Sequence, residues 1–370
     1  MKRLNYIDGL KGWLAVSICI FHFLLMFFIG GFIGWKCLPK AALNPFEYYF
    51  DWFPYSILTN NSFPLYIFFA LTSFIVSYTF LKNKNEDKLK QKIAMRYFRF
   101  MPLVLIASLV AYLLLALELC PLEKFYDITG NTWGLAMIEN EFTFGEALEI
   151  GLFRCFFERT HLVSPFWCMF YIFLGSMLSF VMMLLYTKID NKIFFFGSAI
   201  VLFYFVDQNY LAFIIGLIAG IIANKEYSLS KWKGALLVAV GCVLGLFPPV
   251  LLPSFIDIVT LYALGAGFVI VGIHCCFSNN RLLCNKFAEF LGKESLALIV
   301  WQFLIMQSLN IFLYNSFHSA DMSNPMNIAI NFGINAALSL FLTWVSSKTI
   351  TPLTNYLCRQ MSALLWRKSK

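Results

Sequence analysis

One histidine, His22, stands between Ile20, Phe21, Phe23 and Leu24 in a long apolar run. An ionisable side chain at membrane depth is costly unless it meets a cavity or a partner, so it marks a candidate functional site. Lys11 lies eleven residues earlier. At about 100° per residue that spacing returns almost to the same helix face, roughly 16 Å away along the axis. Asp8, three residues before Lys11, falls near that face and is placed to pair with the ammonium or orient it. One helix face therefore carries an acid, a cation and an imidazole, the groups of a general base with an anion clamp at its approach. The plainer alternatives are a neutral imidazole bonded to a neighbouring helix and a lysine that snorkels to the membrane boundary and sets topology.

A second basic group is Arg96-Tyr97-Phe98-Arg99, followed by Pro102. Arginines three apart share a helix face and can grip a phosphate at two points, although topology alone also places cations at span ends. His161 lies beside Arg159 and Glu158, where an exposed histidine is more often inert. His274-Cys275-Cys276 reads as packing, because adjacent residues on a helix cannot converge on one ion. The ten cysteines include no Cys-x-x-Cys pair. No metal site is expected, and an oxidising compartment would permit one bridge among Cys37, Cys120 and Cys155.

The elements that must position these groups are membrane helices. Of 370 residues, 60% are apolar and only 13% charged, about half the charge of a soluble globule. Apolar runs recur along the chain, with candidate spans starting near Leu10, Ser62, Phe100, Phe166, Ile193, Tyr210, Ala235, Asp257, Leu296 and Asn327. The first run is longer than a cleaved signal's core, so a retained anchor is expected. The runs starting at Ile193 and Tyr210 are short for a full crossing and read as a tight hairpin. The net charge of +8 would suit nucleic acid in a soluble protein, but here the cations flank the apolar runs, which argues against such a partner. All but five of the 28 basic residues fall on one side of the ten-span arrangement; Lys36, Lys40, Lys124, Arg154 and Arg159 are the exceptions. The expectation is an all-α polytopic membrane protein of about ten transmembrane helices with cytoplasmic N- and C-termini. Residues 1–350 form one transmembrane domain with an outer loop at 120–165, including an amphipathic helix around Phe144 to Phe157. Residues 351–370 form a cytoplasmic amphipathic tail. Trp35, Tyr48, Trp52 and Tyr55 suit an interfacial belt.

Tyr6-Ile7-Asp8-Gly9-Leu10-Lys11-Gly12, followed by Phe21-His22-Phe23, resembles the opening of the acyltransferase-3 family of integral membrane acyltransferases. The likeness continues in order. Phe68-Phe69-Ala70-Leu71-Thr72-Ser73-Phe74 resembles the family's Phe-Phe-x-Leu-Ser-Gly-Phe stretch, and Arg96 to Pro102 its Arg-x-x-Arg-x-x-Pro loop. Phe166-Trp167-Cys168-Met169 with Gly175-Ser176 resembles the fourth span, and Leu291-Gly292-Lys293 through Ser295 to Trp301 the Leu-Gly-Lys-x-Ser signature. The resemblance implies transfer of an acyl group, usually acetyl from acetyl-CoA, to a hydroxyl of an extracytoplasmic glycan or similar acceptor. It implies His22 and Asp8 as catalytic residues, and Lys11, Arg96 and Arg99 as cofactor-binding residues. Trp167, Tyr171, Trp301 and Gln302 would line the substrate cavity. A bacterial inner membrane is the expected location.

The chain departs from the family pattern in four places. Lys11 replaces an arginine and loses its planar fork. Ile172 stands where the fourth span carries glutamate, and Gln302 where histidine is usual; glutamine cannot exchange a proton near neutral pH. Ile350 and Thr351 precede Pro352 where Glu-x-Pro is common. A catalytically silent relative is therefore one alternative. A transporter or flippase for a polar or lipid-linked substrate is another, although transporters often carry internal repeats and none is visible.

Overall fold

The computed structural model describes residues 4–27, 62–131, 142–160, 162–225, 230–247, 252–253, 256–318 and 325–366, and helix is the only regular structure among them. In chain order the helices are α1 (Asn5–Phe27), α2 (Ser62–Asn83), α3 (Glu86–Ala116), α4 (Leu122–Thr129), α5 (Phe144–Glu149), α6 (Phe166–Tyr186), α7 (Lys192–Val206), α8 (Leu211–Asn224), α9 (Lys231–Gly245), α10 (Ile258–Cys276), α11 (Lys286–Lys293), α12 (Ser295–Ile305), α13 (Ile311–His318), α14 (Pro325–Lys348) and α15 (Ile350–Leu365). A π-turn, Ile150–Arg154, carries α5 into a last turn at Cys155–Phe157, and a second π-turn, Met306–Asn310, joins α12 to α13.

Among the described residues, seven stretches are long and apolar enough to cross a membrane: α1, α2, α3, α6, α10, α12 with α13, and α14 with α15. The runs expected at Ile193, Tyr210 and Ala235 are helices α7, α8 and α9, of 15, 14 and 15 residues. At 1.5 Å per residue each falls short of a bilayer core of about 30 Å. Helix α7 turns apolar side chains outward along its whole length, with Ile193 87% and Phe205 82% exposed, as a lipid-facing helix would.

Local signals explain several boundaries. Asn85 caps α3 by accepting from the Lys88 amide at 2.8 Å, and Glu86 and Asp87 follow in the first turn, where the helix dipole favours them. The segment between α3 and α6 holds a helix at α5. Thr143 and Glu146 close its capping box, Ala147, Ile150 and Phe156 face inward, and Phe144, Phe153 and Phe157 face outward. The tail from residue 351 is helical as α15, but its first turn packs inward through Ile350 and Thr354, and the Cys358 thiol reaches the Met95 carbonyl of α3. Cys120 and Cys155 are both free thiols. Cys37, His161, Trp35, Tyr48, Trp52 and Tyr55 lie outside the described residues.

Two glycines make the contact that builds the site. A Cβ on Gly292 would lie 1.6 Å from the Asp8 carbonyl oxygen, and one on Gly12 would lie 2.5 Å from that of Ala288. The short helix α11 thus touches α1 backbone to backbone, and the chain leaving it enters α12 beside Asp8 and Lys11.

Candidate functional site

A cavity of 540 Å³ lies between α1, α2, α3, α6, α12 and α15. Asp8, Lys11, His22, Arg96, Arg99 and Trp167 all stand on its wall, so residues from three separate helices meet around one space. A second lobe of 410 Å³ shares Lys11, Arg96, Arg99, Lys293, Glu294 and Asn355 with the first and adds Lys92 and Cys358. The cations therefore gather where the two lobes join.

Each cation is held differently. The Arg96 Nε donates to Ser176 Oγ at 2.8 Å, and the guanidinium lies 4.5 Å from the centroid of the Phe100 ring. Packing of this kind fixes the orientation of the planar guanidinium. The Lys11 ammonium lies 5.8 Å from the Phe68 centroid, so its stem runs along apolar surface while the charge reaches the cavity. Arg99 is exposed at the mouth. Glu294 faces it and Lys293, and accepts from Thr351 Oγ1 at 2.9 Å. Burial pushes the Glu294 carboxyl above the ordinary carboxylate range, against the opposing pull of Thr351, Arg99 and Lys293.

His22 sits deeper on the same wall. Its ring meets Phe303 edge-on, with centroids 5.9 Å apart and planes at 82°. Gln302, expected on the cavity wall, is instead buried within the bundle, its Nε2 donating to the Met306 sulfur at 3.7 Å. Trp301 is likewise off the wall: its indole N–H donates to Ser346 Oγ at 2.6 Å in the contact between α12 and α14. Tyr171 is also displaced from the expected lining, because successive positions on a helix point about 100° apart. Its hydroxyl donates to Asp207 Oδ2 at 3.0 Å, the oxygen that Arg159 also holds at 3.0 Å. The neighbouring Ile172 is the residue that faces the cavity. At the other end of the bundle, His274 packs among Tyr6, Phe74 and Tyr78.

Sequence reasoning missed Lys293, Glu294, Thr351 and Asn355 as cavity residues. The available signal was the charged pair just ahead of a span, which topology accounts for equally well. It also missed the buried asparagines 310, 331 and 335 that brace the helix behind His22; isolated amides in apolar runs carry no periodic pattern. Among the described residues, no three of His, Cys, Asp and Glu converge as metal ligands.

No protein-family model matches the chain, and no curated protein and no solved structure matches it. The chemistry available is that of the wall itself. Polyanions are attracted at the junction of the lobes, and an imidazole able to take a proton stands deeper in the same space.

Proposed function

We propose that the chain is a membrane-bound acyltransferase that moves an acyl group from cytoplasmic acyl-CoA to a hydroxyl of an extracytoplasmic glycan or other cell-surface acceptor. The carrying observation is that His22 and Lys11 of α1 and Arg96 and Arg99 of α3 line one cavity. In this reading the chain crosses the membrane about ten times, with α7, α8 and α9 as tilted or shortened spans, and both termini lie in the cytoplasm. The basic end is then the donor's entrance.

The phosphates of the donor bind Lys11, Arg96 and Arg99, and the pantetheine arm follows α1 inward to bring the thioester to His22. His22, neutral in its apolar surroundings, takes the proton of the acceptor hydroxyl as the oxygen attacks the thioester carbon. The carbon–sulfur bond then breaks, and the imidazolium returns the proton to the leaving thiolate. Asp8, one turn before Lys11, orients the ammonium.

The test is His22→Ala in protein reconstituted in lipid, assayed with labelled acetyl-CoA and candidate glycans. Transfer is expected to disappear while the protein stays folded and still binds the donor; undiminished transfer defeats the proposal. A silent relative is favoured by one observation, Ile172 on the cavity wall in place of a carboxylate. Acyl-CoA binding by the unmodified protein without turnover on any acceptor, with donors from acetyl- to hexanoyl-CoA, would decide for it.

A further inference from the structure

The cavity changes character along its depth. Its mouth is cationic, with Lys11, Arg96, Arg99 and Lys293 around the junction of the lobes. Beyond His22 the wall is formed by Leu25, Leu65, Pro165 and Trp167, with Ser164 and Cys168 as the polar exceptions. Leu25 lies almost a turn past His22 on α1, and Leu65 lies in the first turn of α2, at the end of that helix remote from Lys82. Ile172, where the resemblance implies glutamate, adds a further apolar surface.

We propose that the donor's acyl chain is longer than acetyl and runs past His22 into this apolar end, so that the ligand is a medium-chain acyl-CoA thioester. The inference rests on the acyl-transfer reading and adds the length of the transferred group. With the phosphates at the mouth and the thioester carbon at His22, the acyl tail has one direction left, away from the cations. A two-carbon tail would stop beside the imidazole and leave Leu25, Leu65 and Trp167 facing a space that apolar walls keep poorly hydrated. A longer tail covers them. Each buried methylene contributes about 0.8 kcal/mol, or roughly fourfold in affinity. The charge complementarity of the mouth and the apolar lining of the far end select a ligand with a polyanionic head and an aliphatic tail, which is the chemistry of such a thioester.

Equilibrium binding to protein in lipid nanodiscs tests this with CoA itself and with non-hydrolysable thioether analogues of acetyl-, butyryl- and hexanoyl-CoA. Affinity is expected to rise along the series, with hexanoyl at least about tenfold tighter than acetyl. Leu65→Trp, which fills the apolar end from α2, should abolish that gain and leave CoA affinity unchanged, and Leu25→Trp on α1 should do the same. Equal affinity along the series overturns the chain-length proposal and leaves the donor reading standing. A gain that survives both substitutions also overturns it, since the tail would then be partitioning into lipid. Failure of CoA itself to bind overturns the donor reading and this inference with it.

Discussion

Two helix seams hold this bundle by opposite means. Between α9 and α10 the contact is made by glycine: a Cβ on Gly241 would lie 2.6 Å from the Gly265 carbonyl oxygen and 2.7 Å from Val269 Cγ2. Between α12–α13 and α14–α15 the contact is polar, and its bonds recur along the helices. Thr351 bonds Glu294 at 2.9 Å, Trp301 bonds Ser346 at 2.6 Å, Asn335 Nδ2 donates to the Gln302 carbonyl at 3.2 Å, and Asn310 Nδ2 donates to Asn331 Oδ1 at 2.6 Å. In lipid there is no hydrophobic drive to bring helices together, so close packing of small residues and interhelical hydrogen bonds are the two available solutions. Their placement is informative. Neither α9 nor α10 contributes to the cavity wall, whereas the polar seam runs directly behind His22 and ends on Glu294 at the mouth. Hydrogen bonds have defined partners and therefore fix the axial position of α12, which carries Phe303 against the imidazole. Glycine packing needs only shape.

The contrast predicts that stability and activity separate between the seams. The largest effect on stability is expected from Gly241→Leu, whose side chain has no room against the α10 backbone. Overpacking of this kind costs on the order of 3 kcal/mol, read as a lowered unfolding midpoint in nanodiscs. Turnover per folded molecule should stay near that of the unmodified protein. A fall in turnover equal to that of an active-site change would show that α9 and α10 also position the site.

Asn335→Leu reverses the pattern. It strips a donor from the Gln302 carbonyl and from Asn310 Oδ1, which Asn335 also holds at 2.6 Å. The stability cost is about 1–2 kcal/mol. On the proposed acyl-transfer reading, turnover per folded molecule should nevertheless drop by at least about tenfold, because misplacing the proposed base by a fraction of an ångström is expensive in rate. Unchanged turnover would remove the polar seam from any positioning role. A smaller effect follows at Trp301→Phe, which deletes only the bond to Ser346. The expected loss is about 0.6 kcal/mol, the typical worth of one interhelical hydrogen bond in a membrane protein, measured by the same unfolding assay.

How legible these features were in the sequence follows from their periodicity. Lys11 and His22 share a helix face by simple angular arithmetic, and both reach the same cavity. The long apolar runs are helices because no other backbone satisfies its own polar groups in lipid. Arg96 and Arg99 were visible as a pair, but that α3 brings them to the cavity lined by α1 is a tertiary arrangement no spacing encodes. Tyr171 and Trp301 were misplaced for a related reason. Tyr171 sits beside Ile172, which does face the cavity, and one step along a helix turns the side chain by about 100°; Trp301 is turned to Ser346 of α14 instead. The seam asparagines were illegible because an amide inside an apolar run announces a partner without naming it.

Glu294 offers the finest discrimination, since it is the one bond of the polar seam whose strength depends on pH. Burial raises its carboxyl pKa in the folded protein above the value near 4.3 expected of an unfolded chain. A raised acid binds its proton more tightly when folded. Its contribution to stability is therefore present below the unfolded pKa and is lost as the pH rises through the folded one. Glu294→Gln keeps an acceptor for Thr351 and imitates the protonated acid at every pH. The variant should match the unmodified protein near pH 4 and exceed it slightly at neutral pH, as read from unfolding midpoints across that range. The opposite slope, with the unmodified protein gaining on the variant as pH rises, would mean that the attraction of Arg99 and Lys293 outweighs burial. This end of the seam would then be held by an ion pair, and its weakening by salt would distinguish it from the neutral amide bonds further along α12 and α13.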